Sequence, residues 1–171
     1  MAIAPRHKAA VSALALKGDE SVLEIGCGHG VAVRLVLDEL TTGTITALDR
    51  SHKMVGMVAA AAPDALAQGR LRLRAEALED ADFAGETFDA IFAINLDLNL
   101  RLGTRWPAML KALLKPGGRI VLAFDPPPDT SKGHAFLGKS LDRLKAAGFH
   151  ADLLPAHGRV TLIRGSLVPP A

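Results

Sequence analysis

Short apolar runs alternate along this chain with longer stretches whose apolar residues recur three and four positions apart, the pattern of strands and helices taking turns. Residues 6–16 predict a helix with Ala9, Ala10, Ala13 and Leu14 on one side, broken by Gly18 and Asp19. Ser21–Ile25 predicts a short apolar strand, followed by a glycine-rich turn and a helix over Val31–Leu40. A second strand, Thr44–Leu48, ends at Asp49. Ser51 is placed to cap a helix that runs through an alanine-rich stretch towards Gly69, with a kink at Pro63. Arg70–Arg74 alternates basic residues with leucines as a third strand, and Phe88–Leu96 is almost wholly apolar, as in a strand buried on both faces. A helix over Arg105–Leu114, a turn at Pro116–Gly118 and a fifth strand at Arg119–Phe124 follow. A last helix, 134–147, precedes two strands, Ala151–Leu154 and Arg159–Ile163, joined near His157 and Gly158.

Strands alternating with helices of this length imply βαβ units and a mostly parallel sheet. Too few residues separate the last two strands for a parallel crossover, so that pair must be antiparallel. The expected fold is α/β: a Rossmann-like, doubly wound, mostly parallel seven-stranded sheet closed by an antiparallel C-terminal strand pair. In such a sheet a ligand lies at the carboxyl ends of the strands, where the strand order reverses. The 171 residues fit one domain, divided into an N-terminal helix (1–18), a cofactor-binding half (19–125) and a substrate-side half (126–171).

Composition narrows the classes further. Apolar residues make up 49% of the chain, enough for a sizeable core, but there are only six Phe, one Trp and no Tyr, so that core must be aliphatic. Twenty basic against eighteen acidic residues, with no lysine or arginine run, argue against nucleic acid as a partner. One cysteine, Cys27, excludes an internal disulfide framework, and no apolar stretch of about 18 residues is present, so no membrane association is expected and a cytoplasmic protein is the default.

The strongest local signal is Val22-Leu-Glu-Ile-Gly-Cys-Gly-His-Gly30, a buried strand running into three glycines just before a helix. Such glycines let main chain turn tightly and approach a ligand closely. The dinucleotide fingerprint wants its third glycine three positions after the second, where Val31 stands, and no Lys-Ser/Thr pair follows as a phosphate loop needs. The loop therefore suits pyrophosphate poorly. Asp49 closes the second strand, where a carboxylate can accept both hydroxyls of a ribose, whether in NAD or in S-adenosylmethionine. Asp49 points to an adenosine-type ligand, and the glycine spacing favours the second.

At this point the sequence resembles a known family. Val22–Gly30 looks like the first motif of the class I S-adenosylmethionine-dependent methyltransferases, Asp49-Arg-Ser-His-Lys-Met54 their second, Ala75-Glu-Ala77 their third and Phe88–Asn95 their fourth. Leu114–Leu122 is similar to the segment leading into and along their fifth strand. The resemblance implies S-adenosylmethionine as cofactor, and it implies roles. Gly26 and Gly28 would bring main chain to the methionine part, with Cys27 and Gly30 completing the loop, although neither Cys27 nor His29 is assigned chemistry. Glu24 would bind the methionine ammonium, directly or through water, and the carbonyl of Asn95 would lie near it. Asp49 would take the ribose hydroxyls, Arg50 would cover the adenine, Glu76 would receive its exocyclic amine and the amide of Ala77 a ring nitrogen. Met54 is counted with this set, although its position suits the core better than a ligand contact. No Cys/His/carboxylate cluster supports a metal site.

Methyl transfer is an in-line displacement in which positioning does much of the work, so the family carries no universal catalytic residue. Asp97 and Asn99 lie past the fourth strand; Asp125, Pro126, Pro127 and Pro128 lie past the fifth, and His134 opens the next helix. Asp97 and His134 are the candidates for facing the acceptor. With two short loops, 96–104 and 125–134, the pocket is expected to take a small-molecule O or N nucleophile and to be open or closed by a second subunit in a homodimer. A non-catalytic domain that binds S-adenosylmethionine, and an NAD-dependent oxidoreductase, are the rival readings.

Overall fold

The central strands are apolar on both sides, and the helices between them carry an apolar stripe; helices on both faces of one sheet satisfy both. The computed structural model describes residues 3–125 and 132–167, without the side chains of 132–135 and 156–157. Its elements are α1 (Pro5–Leu14), β1 (Ser21–Ile25), α2 (Val31–Glu39), β2 (Thr44–Leu48), α3 (His52–Ala61), α4 (Pro63–Ala67), β3 (Leu71–Arg74) and β4 (Phe88–Ile94). They continue with α5 (Leu98–Leu102), α6 (Trp106–Leu113), β5 (Leu114–Phe124), α7 (Lys132–Ala146), β6 (His150–His157) and β7 (Val160–Ser166). The seven strands form one sheet in the order β3-β2-β1-β4-β5-β7-β6. β3, β2, β1, β4 and β5 are mutually parallel, whereas β7 runs antiparallel to both β5 and β6. The Rossmann-like architecture, including its antiparallel C-terminal pair, is therefore present.

Strand alternation divides the core in two. Leu23, Ile91, Ile120 and Leu122 face a layer containing Trp106, Leu110 and Leu144. Val22, Phe92, Val121 and Ala123 face the other, with Leu14, Val33 and Val58. Successive residues of a strand point to opposite faces, so one continuous apolar run such as Ala90–Ile94 serves both layers. Each fully buried Leu, Ile or Phe side chain contributes about 1.5–3 kcal/mol.

Four local features differ from expectation. The kink at Pro63 is a break: Ala62 leaves helical geometry (φ −140°, ψ 53°) and α4 starts afresh at the proline, as the restriction on a residue before proline favours. The segment 96–104, expected as a loop, holds α5. The turn at Pro116–Gly118 lies inside β5: Phe88 pairs with Leu114 but Ala90 with Arg119, so the intervening residues bulge from the ladder where Gly117 is left-handed (φ 75°). β6 and β7 extend beyond their expected ends because each completes the other's ladder.

Arg119 fixes the N-terminal helix. Its guanidinium donates to the Leu14 and Ala15 carbonyls and, at 3.0 Å, to Glu20 Oε1. The last turn of α1 thus lies at the amino edge of the sheet. Ten residues of helix span about 15 Å, close to the rise of Arg119–Phe124, and this brings the first turn of α1 to the carboxyl edge.

Candidate functional site

The strand order reverses between β1, which pairs with β2, and β4 on its other side. At the carboxyl ends of these strands lies an open cleft of about 230 Å³ lined by Gly26, Asp49, Arg50, Glu76, Ala77 and Asn95. Six of the residues singled out in the sequence are brought together there.

The glycine loop is built around Asp49. Leaving β1, the amides of Gly26 and Cys27 donate to the Leu48 carbonyl at 2.7 and 3.0 Å. The Gly28 amide donates to Asp49 Oδ2 at 2.9 Å and the Ser51 amide to Oδ1 at 2.9 Å. One carboxylate therefore ties the loop to the start of α3, whose first turn is capped by Ser51 Oγ accepting from the Met54 amide. Gly28 has φ 50° and open space around the place of a Cβ, whereas a Cβ on Gly30 (φ 70°) would stand 2.8 Å from Val58 Cγ2. Gly28 leaves the backbone approachable; Gly30 is required where α2 starts tightly against α3. Glu24, Cys27, Gly28, Gly30 and Met54 are not among the residues lining the cleft, and Cys27 is buried in the core layer with Val33 and Val58. Burial above all, then the Glu24 and Asp49 charges, push the Cys27 thiol up to about 12, so it stays a protonated, unreactive packing residue.

Glu24 lies beneath the loop, 3% exposed on β1. Its Oε2 is buried with no hydrogen-bond partner among the described residues. Burial, and secondarily the neighbouring Asp49 charge, hold its carboxyl well above the ordinary carboxylate range. A buried acceptor without a donor is costly; a cationic donor in the cleft would relieve it.

The opposite wall comes from the segments after β3 and β4. Glu76 accepts from Arg74 Nε through Oε1. Asn95 adopts a left-handed backbone (φ 53°), donates its amide to the Ala123 carbonyl at 2.8 Å, and accepts the Asp125 amide on Oδ1 at 2.8 Å. Sequence reasoning missed Leu78, Leu96 and Arg101, which also line the cleft. Arg101 donates to Glu79 at 3.1 Å, joining α5 to the segment after β3. Nothing local announced that pair, 22 residues apart in the chain.

Asp97, a candidate for facing the acceptor, is the N-cap of α5: its Oδ1 accepts from the Leu100 amide at 2.8 Å. Asn99 is engaged elsewhere, accepting from Trp106 Nε1 at 3.0 Å and from Arg143, and donating to Ser140 Oγ at 2.6 Å. It pins α5 to α6 and α7. The side chain of His134, and Pro126, Pro127 and Pro128, lie outside the described residues. Among the described residues no cluster of His, Cys, Asp or Glu fits a metal ion, and no helix is long and apolar enough to cross a membrane.

Comparison with known proteins follows the same outline. A family model described as "Methyltransferase domain" matches residues 22–118. No curated protein matches the sequence. Among solved structures, a SAM-dependent methyltransferase from Aquifex aeolicus is similar with a TM-score of 0.79 at 16% identity, over 95% of this chain and 89% of that one. A precorrin-6y C5,15-methyltransferase from Geobacter metallireducens GS-15 gives 0.73 at 19% identity, over 94% and 86%. The [4+2]-cyclase SpnF gives 0.77 at 16%, over 96% and 80%. At these identities the likeness is one of fold, and SpnF carries a different activity on it.

Proposed function

This chain belongs to the methyltransferase-domain family, and from that premise we propose that it is an S-adenosylmethionine-dependent methyltransferase acting on an O or N nucleophile of a small molecule. The observation that carries the reading is the pairing, at the strand-order reversal, of the orphaned, buried Glu24 Oε2 with a partly buried carboxylate at the end of β2, Asp49. That pair of acceptors fits a ligand with a cationic end and a vicinal diol, which S-adenosylmethionine is and a pyrophosphate is not. When bound, the cofactor supplies an electrophilic sulfonium methyl.

The chain's own residues bind and orient. Glu24 holds the ammonium, by contact or through a water, and gains the donor it lacks. Asp49 keeps lone pairs for the ribose hydroxyls while its two amide bonds hold it still. Gly26 and Gly28 present unobstructed main chain to the methionine part. Arg50 covers the adenine, Glu76 offers its second oxygen to the exocyclic amine, and the Ala77 amide meets a ring nitrogen. Asn95 closes the methionine end with its carbonyl. Cys27, Gly30 and Met54 support the loop from behind. Positioning of this kind is worth on the order of 7–11 kcal/mol when the geometry is a near-attack one.

The acceptor enters over β4 and β5, where Asp97 and His134 are our candidates for contacting it. The near-neutral charge and the absence of a basic run favour a small molecule over RNA or DNA, and the lone reduced thiol suits a cytoplasmic setting. An open cleft leaves room for a second subunit as its cover. The test is transfer of radiolabelled methyl, run on metabolite extract, total RNA and protein fractions. Label is expected in the metabolite pool. Asp97→Asn or His134→Ala should lower it while cofactor affinity stays within a few fold. Label confined to RNA or protein would overturn the acceptor assignment.

A further inference from the structure

Three elements distant in sequence meet at the carboxyl end of β5. The first turn of α1 brings Arg6, the turn between β6 and β7 brings Arg159, and the strand itself ends in Asp125. Because β7 runs antiparallel to β5, with Thr161 opposite Phe124, that turn overhangs the same edge of the sheet as the cleft. Arg6 Nη1 lies 3.3 Å from Asp125 Oδ2, and Arg159 Nη2 lies 3.6 Å from Oδ1. The Asp125 side chain is 12% exposed, whereas those of Arg6 and Arg159 are 34% and 59% exposed. Each guanidinium has five N–H donors. Among the described residues neither makes any hydrogen bond beyond the contact with Asp125. One carboxylate thus aligns two guanidinium groups and leaves the cluster with a net positive charge and most of its donors unused.

The cluster lies on the side from which the proposed acceptor would enter. The Asp125 amide bonds to Asn95 Oδ1, and Asn95 lines the cleft, so the cluster adjoins the cofactor site on the side of β5. It adds positive charge beside a cleft whose own charged lining residues, Asp49, Glu76, Arg50 and Arg101, balance one another. Exposed ion pairs contribute little to stability, so stability alone does not account for two arginines gathered on one aspartate. Planar guanidinium forks match carboxylate and phosphate oxygens.

We propose that Arg6 and Arg159, held by Asp125, form an anion subsite that binds the carboxylate or phosphate of a small acidic methyl acceptor beside the cofactor cleft. The inference rests on the methyltransferase reading and narrows its acceptor to organic anions. Asp125 is the positioning residue of the subsite; the two arginines make the contact.

The test uses the full chain, first alone and then with S-adenosylhomocysteine, titrated with benzoate, phenyl phosphate and neutral benzamide while the arginine Nε resonances are followed by NMR. Either anion is expected to bind and shift the Arg6 and Arg159 resonances, with benzamide at least tenfold weaker. Arg159→Ala and Arg6→Ala should each weaken the anion about tenfold; the exposed Arg159 should leave the thermal midpoint unmoved, and the half-buried Arg6 should lower it only slightly. Whether benzoate or phenyl phosphate binds better separates carboxylate from phosphate acceptors. Equal binding of benzamide and both anions, or anion binding unchanged in the double variant, would overturn the subsite. Failure of S-adenosylhomocysteine to bind would instead count against the methyltransferase reading, and the titration of the chain alone would still judge the arginine pair.

Discussion

Replacing Asp49 with alanine removes two things at once, and the two separate in measurement. In the folded chain its carboxylate accepts the Gly28 and Ser51 amides, both at 2.9 Å. Hydrogen bonds to a charged group are worth about 1.5–3 kcal/mol each. Asp49 is only partly buried, so water can refill both donors, and the net structural loss comes to about 1–3 kcal/mol. For a domain of this size that lowers the thermal midpoint by about 3–10 °C. With cofactor bound, the carboxylate is further expected to take two ribose hydroxyls, and losing about 3 kcal/mol there weakens binding roughly a hundredfold. Asp49→Asn keeps one oxygen for an amide but must turn an NH2 group towards the other donor, so it should fall between wild type and alanine in both readings. Thermal denaturation gives the first quantity and calorimetric titration with S-adenosylhomocysteine the second. A folded Asp49→Ala with an unchanged midpoint and affinity within threefold of wild type would refute the reasoning.

Glu24 has its folded-state pKa raised, chiefly by burial and then by Asp49, so the cofactor-free chain binds more protons folded than unfolded. Its contribution to stability is complete below the ordinary carboxylate pKa and is lost as pH rises through the raised value. Thermal midpoints of the cofactor-free protein should therefore show a downward component as pH rises above the ordinary carboxylate range that Glu24→Gln removes; identical profiles would count against it. Gly30→Ala must fit a Cβ 2.8 Å from Val58 Cγ2 at positive φ and should cost about 1–3 kcal/mol, more than Gly28→Ala by denaturant titration. Asn99→Ala strips the acceptor from Trp106 Nε1 and Arg143 and should destabilise by about 2–3 kcal/mol. The near-UV dichroism of the lone tryptophan should change, with cofactor affinity kept within a few fold.

The parts of the fold written in consecutive residues were legible. Val22–Ile25, Thr44–Leu48 and Phe88–Ile94 are mostly apolar, broken only by Glu24, Thr44, Thr46 and Asp89, because both of their faces are covered, and the three glycines after Ile25 mark where main chain must turn. Asp49 was legible for the same reason, since it ends a strand whose neighbours fix its place. α5 was not: Leu98-Asn-Leu-Arg-Leu102 alternates like a strand, and its helix depends on the Asp97 cap and on Asn99 bonding to Trp106, Ser140 and Arg143. Pro116-Gly-Gly118 reads as a turn, yet the ladder with β4 resumes around it. Gly30 carries the motif's spacing, but its cause is Val58 on another helix. The Arg6–Asp125–Arg159 cluster joins Arg6 to Asp125 across 119 positions, a separation over which no local pattern extends.

The central claim is that the cleft between β1 and β4 takes S-adenosylmethionine. Calorimetric titration of the purified chain, freed of any retained small molecule, tests it directly with S-adenosylmethionine, S-adenosylhomocysteine and NAD in parallel. Micromolar-range binding of the first two, with nothing comparable for NAD, is the predicted result. NAD binding as tightly as S-adenosylmethionine, or more so, would contradict it.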